Sequence, residues 1–366
     1  MSAVHATVDL DDTSALLEAD RDGLLRSAAM AGAGVRATAA AVEEGALDSL
    51  AADQRPRTVI WLARRGPAET AGAMLAAALG ATAGEPLITA AQAPPWIGPL
   101  DVLIAAGDDP ADPVLVSAAA TAARRGARVV VAAPFEGPLR DGVAGRAAVL
   151  APRLWTPDEF GLCRYLAAGL ATLSVVDPGL RTLRDGLNEL ADELDAEALR
   201  NSPDREVFTN PAKALAERMT GRRAVLAGDN PATLALARHG AAVLLRVGGQ
   251  TVAAAGLADA LMALRRAGAK RLRESAGRFA DPVDALFHDE DIDGPLPARS
   301  RVLALALSGE RPMLGARLEG FDDVDLVGAE DIGEAGAVRA GSAEQQLAML
   351  AVRIEMAAVY LGLAGG

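Results

Sequence analysis

Two residues of this chain have side chains suited to proton transfer beside a carbonyl group. They are Glu274, in Leu272-Arg-Glu-Ser-Ala276, and His288, in Phe287-His-Asp-Glu290, fourteen positions apart. A carboxylate and an imidazole delivered from separate elements can divide such a reaction. One removes the proton next to the carbonyl, and the other moves a hydroxyl proton or opens a ring. The chain has only three histidines, so the position of this one narrows the chemistry. The plainer alternatives are an exposed acid near a helix end for Glu274 and a structural or solvent-facing imidazole for His288.

Two loops carry charge where a ligand could use it. Arg64-Arg-Gly-Pro-Ala-Glu-Thr70 follows one strand-like run, and Gly107-Asp-Asp-Pro-Ala-Asp112 follows the next. In open α/β sheets ligands bind at the carboxyl ends of strands, where helix amino termini favour anions. Two arginines there suit a phosphate, and three aspartates in the neighbouring loop repel one unless they are neutralised. As ordinary surface charges, Arg64 and Arg65 need no ligand at all.

Other motifs read more weakly. Gly32-Ala-Gly34 lacks the preceding strand that a dinucleotide fingerprint needs and stands in a helical stretch. Asp289-Glu-Asp-Ile-Asp-Gly294 copies the opening of a calcium loop, but its twelfth position is Ser300, and Pro295 and Pro297 interrupt it. No Gly-Lys-Ser/Thr phosphate loop occurs. No metal and no cofactor are expected.

The elements that must position these residues follow an alternating pattern. Helices are predicted at Leu16–Arg26 and Arg36–Leu47, then a strand at Thr58–Ala63 and a helix at Ala68–Leu79. Asp101–Ala106 and Arg128–Ala133 read as strands flanking a helix at Val114–Arg125. Thr156-Pro-Asp-Glu159 reads as a helix start running on towards Val176, followed by an amphipathic helix at Leu180–Leu199. Arg200–Arg205 is polar and reads as a linker. Beyond it, strands are predicted at Ala224–Ala227, Ala242–Val247, Arg301–Leu307 and Val324–Val327. Helices are expected at Pro211–Met219, Thr233–His239 and Val252–Ser275. Ser342-Ala-Glu-Gln345 has capping-box spacing and opens a last helix. Strand–helix alternation means parallel α/β units with helices on their faces, and two such halves suggest an internal duplication.

Composition sets outer bounds. The 366 residues suit roughly two domains of ~150–200 residues. A 51% hydrophobic content with only 3% aromatics predicts cores of small aliphatic side chains. A net charge of −13 argues against nonspecific binding to nucleic acid or to an anionic membrane. The single Cys163 permits no internal disulfide. Met1–His5 has no basic segment leading into an apolar one, so no secretory leader is expected. The apolar run Tyr165–Val176 is short for a membrane span. A cytoplasmic location is the expectation.

Asn210-Pro-Ala-Lys-Ala-Leu-Ala-Glu-Arg218 and Gly221-Arg-Arg-Ala-Val-Leu226 resemble the opening of the second domain in the bifunctional phosphoglucose/phosphomannose isomerases, two-domain proteins of the sugar-isomerase (SIS) fold. Gly341–Leu350, with Tyr360-Leu-Gly-Leu363, is similar to their final helix. The segments around Glu274 and His288 resemble those that carry the family's catalytic glutamate and histidine. The resemblance implies two three-layer α/β/α domains with mainly parallel sheets. It divides the chain into an N-terminal helical segment (1–50), a first SIS-like domain (51–200) and a second (201–366). It implies a homodimer and aldose–ketose isomerisation of glucose, mannose or fructose 6-phosphates. Glu274 would shuttle the proton between C1 and C2, and His288 would assist ring opening.

The chain departs from that pattern at the phosphate. The family's Gly-Gly-Ser and Ser-x-Ser-Gly-x-Thr turns are replaced by Arg64–Thr70 and Gly107–Asp112, and its C-terminal lysine has no counterpart. Arg153, with Arg64 or Arg65, is the expected substitute, and Arg164 is the alternative match for the family arginine. Pro67 and Pro110 also remove amide donors at these turns. That loss motivates the rival expectation, a sugar-phosphate binder without catalysis that regulates or scaffolds a partner.

Overall fold

Short aliphatic runs, each followed by an alanine-rich helix, build two parallel sheets. The computed structural model describes residues 8–51, 54–278, 300–329 and 341–365, apart from the side chains of 269–278. Helices α1 (Thr13–Ala19), α2 (Leu24–Ala29) and α3 (Ala31–Glu43) lead in. The first sheet contains β1 (Thr58–Leu62), β2 (Leu87–Ala90), β3 (Asp101–Ala106), β4 (Arg128–Ala132) and β5 (Ala147–Val149). They lie in the order β2-β1-β3-β4-β5 with every pairing parallel. Its connections run through α4 (Gly66–Leu79), α5 (Pro113–Arg124) and α6 (Gly137–Val143). Helices α7 (Leu162–Val176), α8 (Thr182–Arg200) and α9 (Pro211–Met219) carry the chain to the second sheet.

That sheet contains β6 (Arg223–Gly228), β7 (Ala253–Gly256), β8 (Ser300–Leu305) and β9 (Val324–Val327), ordered β7-β6-β8-β9 and again all parallel. Its helices are α10 (Pro231–Arg246), α11 (Leu257–Arg278), α12 (Arg311–Leu318) and the long α13 (Ala343–Gly365). Both sheets therefore run second, first, third, fourth strand. This repeats the topology expected of two α/β/α halves.

Three local expectations are corrected. Ala242–Val247 is not a strand but the last turns of α10. Leu236, His239, Gly240, Val243 and Leu244 are buried at helical spacing, so the helical period runs through the β-branched residue. The strand lies further on, at Ala253–Gly256, inside the stretch expected to be helical from Val252. Thr156–Glu159 opens only a 3₁₀ turn, Asp158–Phe160, and α7 begins at Leu162. Edge strands β2 and β5, four and three residues long, are too short to carry a readable alternation.

One apolar core runs through both sheets. It includes Trp61 of β1, Leu75 of α4, Leu170 of α7, Leu236 of α10 and Leu350 of α13. Trp61 is buried and donates its indole N–H to Ala68 O at 2.8 Å. Gly72 and Gly169 make room for it, since a Cβ on either would lie 2.5 or 3.0 Å from an indole atom. Gly32 does the same for a helix crossing: a Cβ there would meet Asp195 and lie 2.6 Å from Ala191 O on α8. Gly32 thus serves packing between α3 and α8, whereas a Cβ on Gly34 would meet only Arg164 Cβ at an ordinary 3.9 Å. Helix α13 is long and apolar enough to cross a membrane, but its apolar window is 83% buried inside the fold.

Residues 197–213 are pinned by a buried polar knot. Arg353 of α13 donates to Glu197 (2.8 Å) and to the carbonyls of Gly328 and Ala329. Lys213 Nζ donates to Pro203 O and Arg205 O at 2.8 and 2.7 Å, and Tyr360 Oη to Asn201 O at 2.6 Å. Asn210 caps α9 by accepting from Lys213 N at 2.9 Å. The Asn210–Lys213 motif read from the sequence is an anchoring motif here.

Candidate functional site

The strand order reverses between β1 and β3, so the crevice of this topology opens at their carboxyl ends. Two loops meet there, Ala63–Arg65 before α4 and Gly107–Asp112 before α5. Arg64 reaches across to Asp112 at 3.0 Å and Arg65 to Asp108 at 3.3 Å. Both arginines named from the sequence therefore stand side by side at this edge, and each faces an aspartate of the neighbouring loop.

At each of the two helix amino termini at this edge stands one of the protein's own acids, and that of α5 is capped by it. Asp112 caps α5, accepting from Val114 N at 2.8 Å and Leu115 N at 3.1 Å. Burial acts to raise the Asp112 carboxyl, but these two amides and Arg64 outweigh it and hold the group below its ordinary value. At α4, Gly66 adopts φ +64°, the left-handed region that glycine tolerates, and Pro67 follows in the first turn. A Cβ on Gly66 would lie 3.3 Å from Asp158 Oδ2, so the Asp158 carboxylate sits against this turn.

Next to these loops lies a cleft of about 440 Å³, bounded by Asp108, Pro134 beyond β4, and the segment Pro152–Asp158 with Arg164 beyond β5. Arg153 lines it and pairs with Glu44 at the end of α3, at 2.8 and 2.5 Å. Arg164 lies on the first turn of α7 with its guanidinium carbon 4.1 Å from the Tyr165 ring centre. Among the described residues, its Nη1 is buried without a hydrogen-bond partner. Burial, with Asp108 and Glu159 adding negative charge, raises Asp158 above its ordinary value. Trp155, 84% exposed, stands at the rim.

The second half presents a matching edge. Gly228 ends β6 in a turn so tight that a Cβ would lie 2.6 Å from Leu234 Cα. Asn230 caps α10 through a reciprocal bond with Thr233 and donates to Glu310 at 2.7 Å. Glu274 falls near the carboxyl end of α11, where only the backbone is described. His288 and the Asp289–Gly294 acidic run lie outside the described residues.

A different imidazole–carboxylate pair is buried in the core. His239 Nε2 of α10 lies 2.7 Å from Glu355 Oε1 of α13, both side chains nearly inaccessible. Burial raises Glu355, although His239 works against the shift. Sequence reasoning passed over this pair because 116 positions separate its members. The readable signal was an acid and an arginine inside the otherwise apolar α13.

No protein-family model matches this chain, and no curated protein matches it in sequence. Solved structures share its fold over nearly its whole length. Tagatose-6-phosphate ketose/aldose isomerase from Escherichia coli superposes with a TM-score of 0.59 at 15% identity, covering 99% of this chain and 95% of that one. A glucose-6-phosphate isomerase like protein from Thermus thermophilus gives 0.55 at 19% identity, covering 98% and 96%. The chain shares the two-sheet α/β/α fold of these structures.

Proposed function

We propose that this protein is a sugar-phosphate isomerase-like protein of the aldose–ketose class, acting on glucose, mannose or fructose 6-phosphate as a cytoplasmic homodimer. The observation that supports this reading is the cleft at the carboxyl edge of the first sheet, with Arg153 and Arg164 on its walls, in a fold shared over nearly the whole chain with a tagatose-6-phosphate ketose/aldose isomerase and a glucose-6-phosphate isomerase like protein. In the proposed reaction Glu274 takes the proton from C2 of the opened aldose, leaving an enediolate, and the O2 hydroxyl proton passes to O1 as Glu274 returns its proton to C1. His288 moves the hydroxyl proton that opens the ring. The bond broken at one carbon is remade at its neighbour, so no redox partner is needed. The phosphate is held by Arg153, with Arg64 or Arg65 assisting.

A positioned acid or base of this kind contributes ~10²–10⁴ in rate. Glu274→Gln should therefore lower kcat by at least about a hundredfold with the melting temperature unchanged. Interconversion of the three hexose 6-phosphates, followed by NMR on wild type and variant, tests this. A wild type that converts none of them removes the isomerase reading.

A second reading, a sugar-phosphate binder without turnover, is favoured by the Arg64–Asp112 and Arg65–Asp108 pairs, which neutralise cations where the phosphate is expected. Ligand-induced thermal stabilisation without conversion supports it over catalysis. Conversion of any of the three sugars rules it out.

A further inference from the structure

Asp112 takes the first amides of α5 and the Asp158 carboxylate lies against the first turn of α4, so the two helix starts that this topology normally offers an anion both face a carboxylate. The cleft beside them offers different groups. Arg164 turns a buried N–H towards no acceptor among the described residues, an arrangement an anion's oxygen would complete. Arg153 stands on the same wall, paired with the exposed Glu44 that a phosphate would have to displace, and Asp108 and Asp158 present acceptors. Trp155 stands at the rim, 84% exposed among the described residues. Two guanidiniums, two carboxylates and one indole are the groups that recognise a phosphate, sugar hydroxyls and the C–H face of a pyranose. The cleft volume, about 440 Å³, falls within the few hundred to a thousand Å³ of small-molecule sites.

We infer that this cleft is the hexose-phosphate site, with Arg164 and Arg153 taking the phosphate, Asp108 and Asp158 accepting from sugar hydroxyls, and Trp155 covering the ring. The inference rests on the sugar-phosphate reading for its ligand class but not on Glu274 or His288. It moves phosphate recognition from the strand–helix loops to the segment beyond β5. It also leaves Arg64 and Arg65 as partners of the loop aspartates.

The test uses the full-length protein with glucose 6-phosphate, glucose and inorganic phosphate as probes, by calorimetry and tryptophan fluorescence. Glucose 6-phosphate should bind tightest and shift the emission of Trp155. Trp155→Ala, at an exposed position, should fold as wild type, weaken glucose 6-phosphate at least about tenfold and abolish the emission change. Arg164→Gln should weaken glucose 6-phosphate and inorganic phosphate together. Wild type that binds none of the probes overturns the inference, as does Trp155→Ala binding glucose 6-phosphate with unaltered affinity. Inorganic phosphate binding as tightly as the sugar phosphate overturns it too. The two proposals fail separately. Turnover lost in Glu274→Gln with Trp155→Ala indistinguishable from wild type leaves the isomerase and removes this site. Weakened binding in Trp155→Ala with no turnover in wild type leaves the site and removes the isomerase.

Discussion

Glu197 and Arg353 illustrate how single residues hold this fold together. Both are almost fully buried, 2.8 Å apart, and Arg200 and Asn201 complete the carboxylate's hydrogen bonds. Burial alone raises Glu197, but the charges of Arg353 and Arg200 and the Asn201 donor outweigh it and hold the group below its ordinary 4.5. A lowered carboxyl contributes stability that is complete above the unfolded value, near 4.5, and is lost as pH falls through the folded one. Arg353→Met leaves the buried charge with only Asn201 and the partly exposed Arg200, at a cost approaching about 3 kcal/mol near neutral pH. In the variant burial prevails and the carboxyl rises, so its deficit against wild type should narrow as the solution is acidified from pH ~6 to pH ~4. Urea denaturation across that range measures it, and a deficit independent of pH contradicts the account. Little of this was legible beforehand. Residue type identified Glu274 and the loop arginines as chemistry-bearing, but it could not show that Arg64 and Arg65 face Asp112 and Asp108. Nor could it single out Asp158, whose interest arises from lying against a glycine turn ninety-two positions earlier.

At the level of elements, strands bounded by turn residues and buried on both faces were readable, and those without such marks were not. β1, β3 and β4 are continuous apolar runs closed by Gly or Pro, and their predicted limits agree with the structure to within a residue. The error at Ala242–Val247 has a physical source. Ala-Ala-Val-Leu-Leu is apolar on every side, so period could not separate strand from buried helix, and length had to decide. Of the two helix starts read from capping residues, the one at Ser342 holds, with Ser342 and Gln345 bonding reciprocally at the start of α13, while Thr156–Glu159 opens only a 3₁₀ turn. The caps of α9 and α10, Asn210 and Asn230, were not read as such. Asn210 does double duty, since its Nδ2 also donates to Ser202 O at 2.9 Å. Asn210→Ala should thus cost about 1–2 kcal/mol, at the upper end for a cap. Asn210→Asp, which keeps the acceptor and loses the donor, should recover part of that. Equal stability of both variants and wild type in chemical denaturation contradicts the anchoring role of the motif.

Across the whole molecule, the two sheets are coupled through shared helices and not through a hinge of exposed chain. Helix α4 of the first half packs on α10 of the second, and α13 packs on α7, α8, α9 and α10. The apolar cluster that includes Trp61 therefore continues without interruption to Ile354 and Tyr360. Residues 200–205, polar enough to suggest a loose linker, instead supply carbonyls to Lys213 and Tyr360. Neither half can open without exposing apolar surface of the other, at roughly 25 cal/mol per Å². Calorimetric unfolding should accordingly show one transition, although a chain of this length commonly divides into independent units. A graft of strain at the junction discriminates. Gly240 lets α10 approach α13, and a Cβ there would lie 2.6 Å from Leu226 Cδ1 and 2.9 Å from Ile354 Cγ2. Gly240→Val should lower the single transition as a whole, by about 1–3 kcal/mol of overpacking. If the halves were independent, the first would keep its wild-type melting temperature while the second alone shifted. Two resolved heat-absorption peaks, in wild type or variant, would overturn the shared core as the basis of this protein's stability.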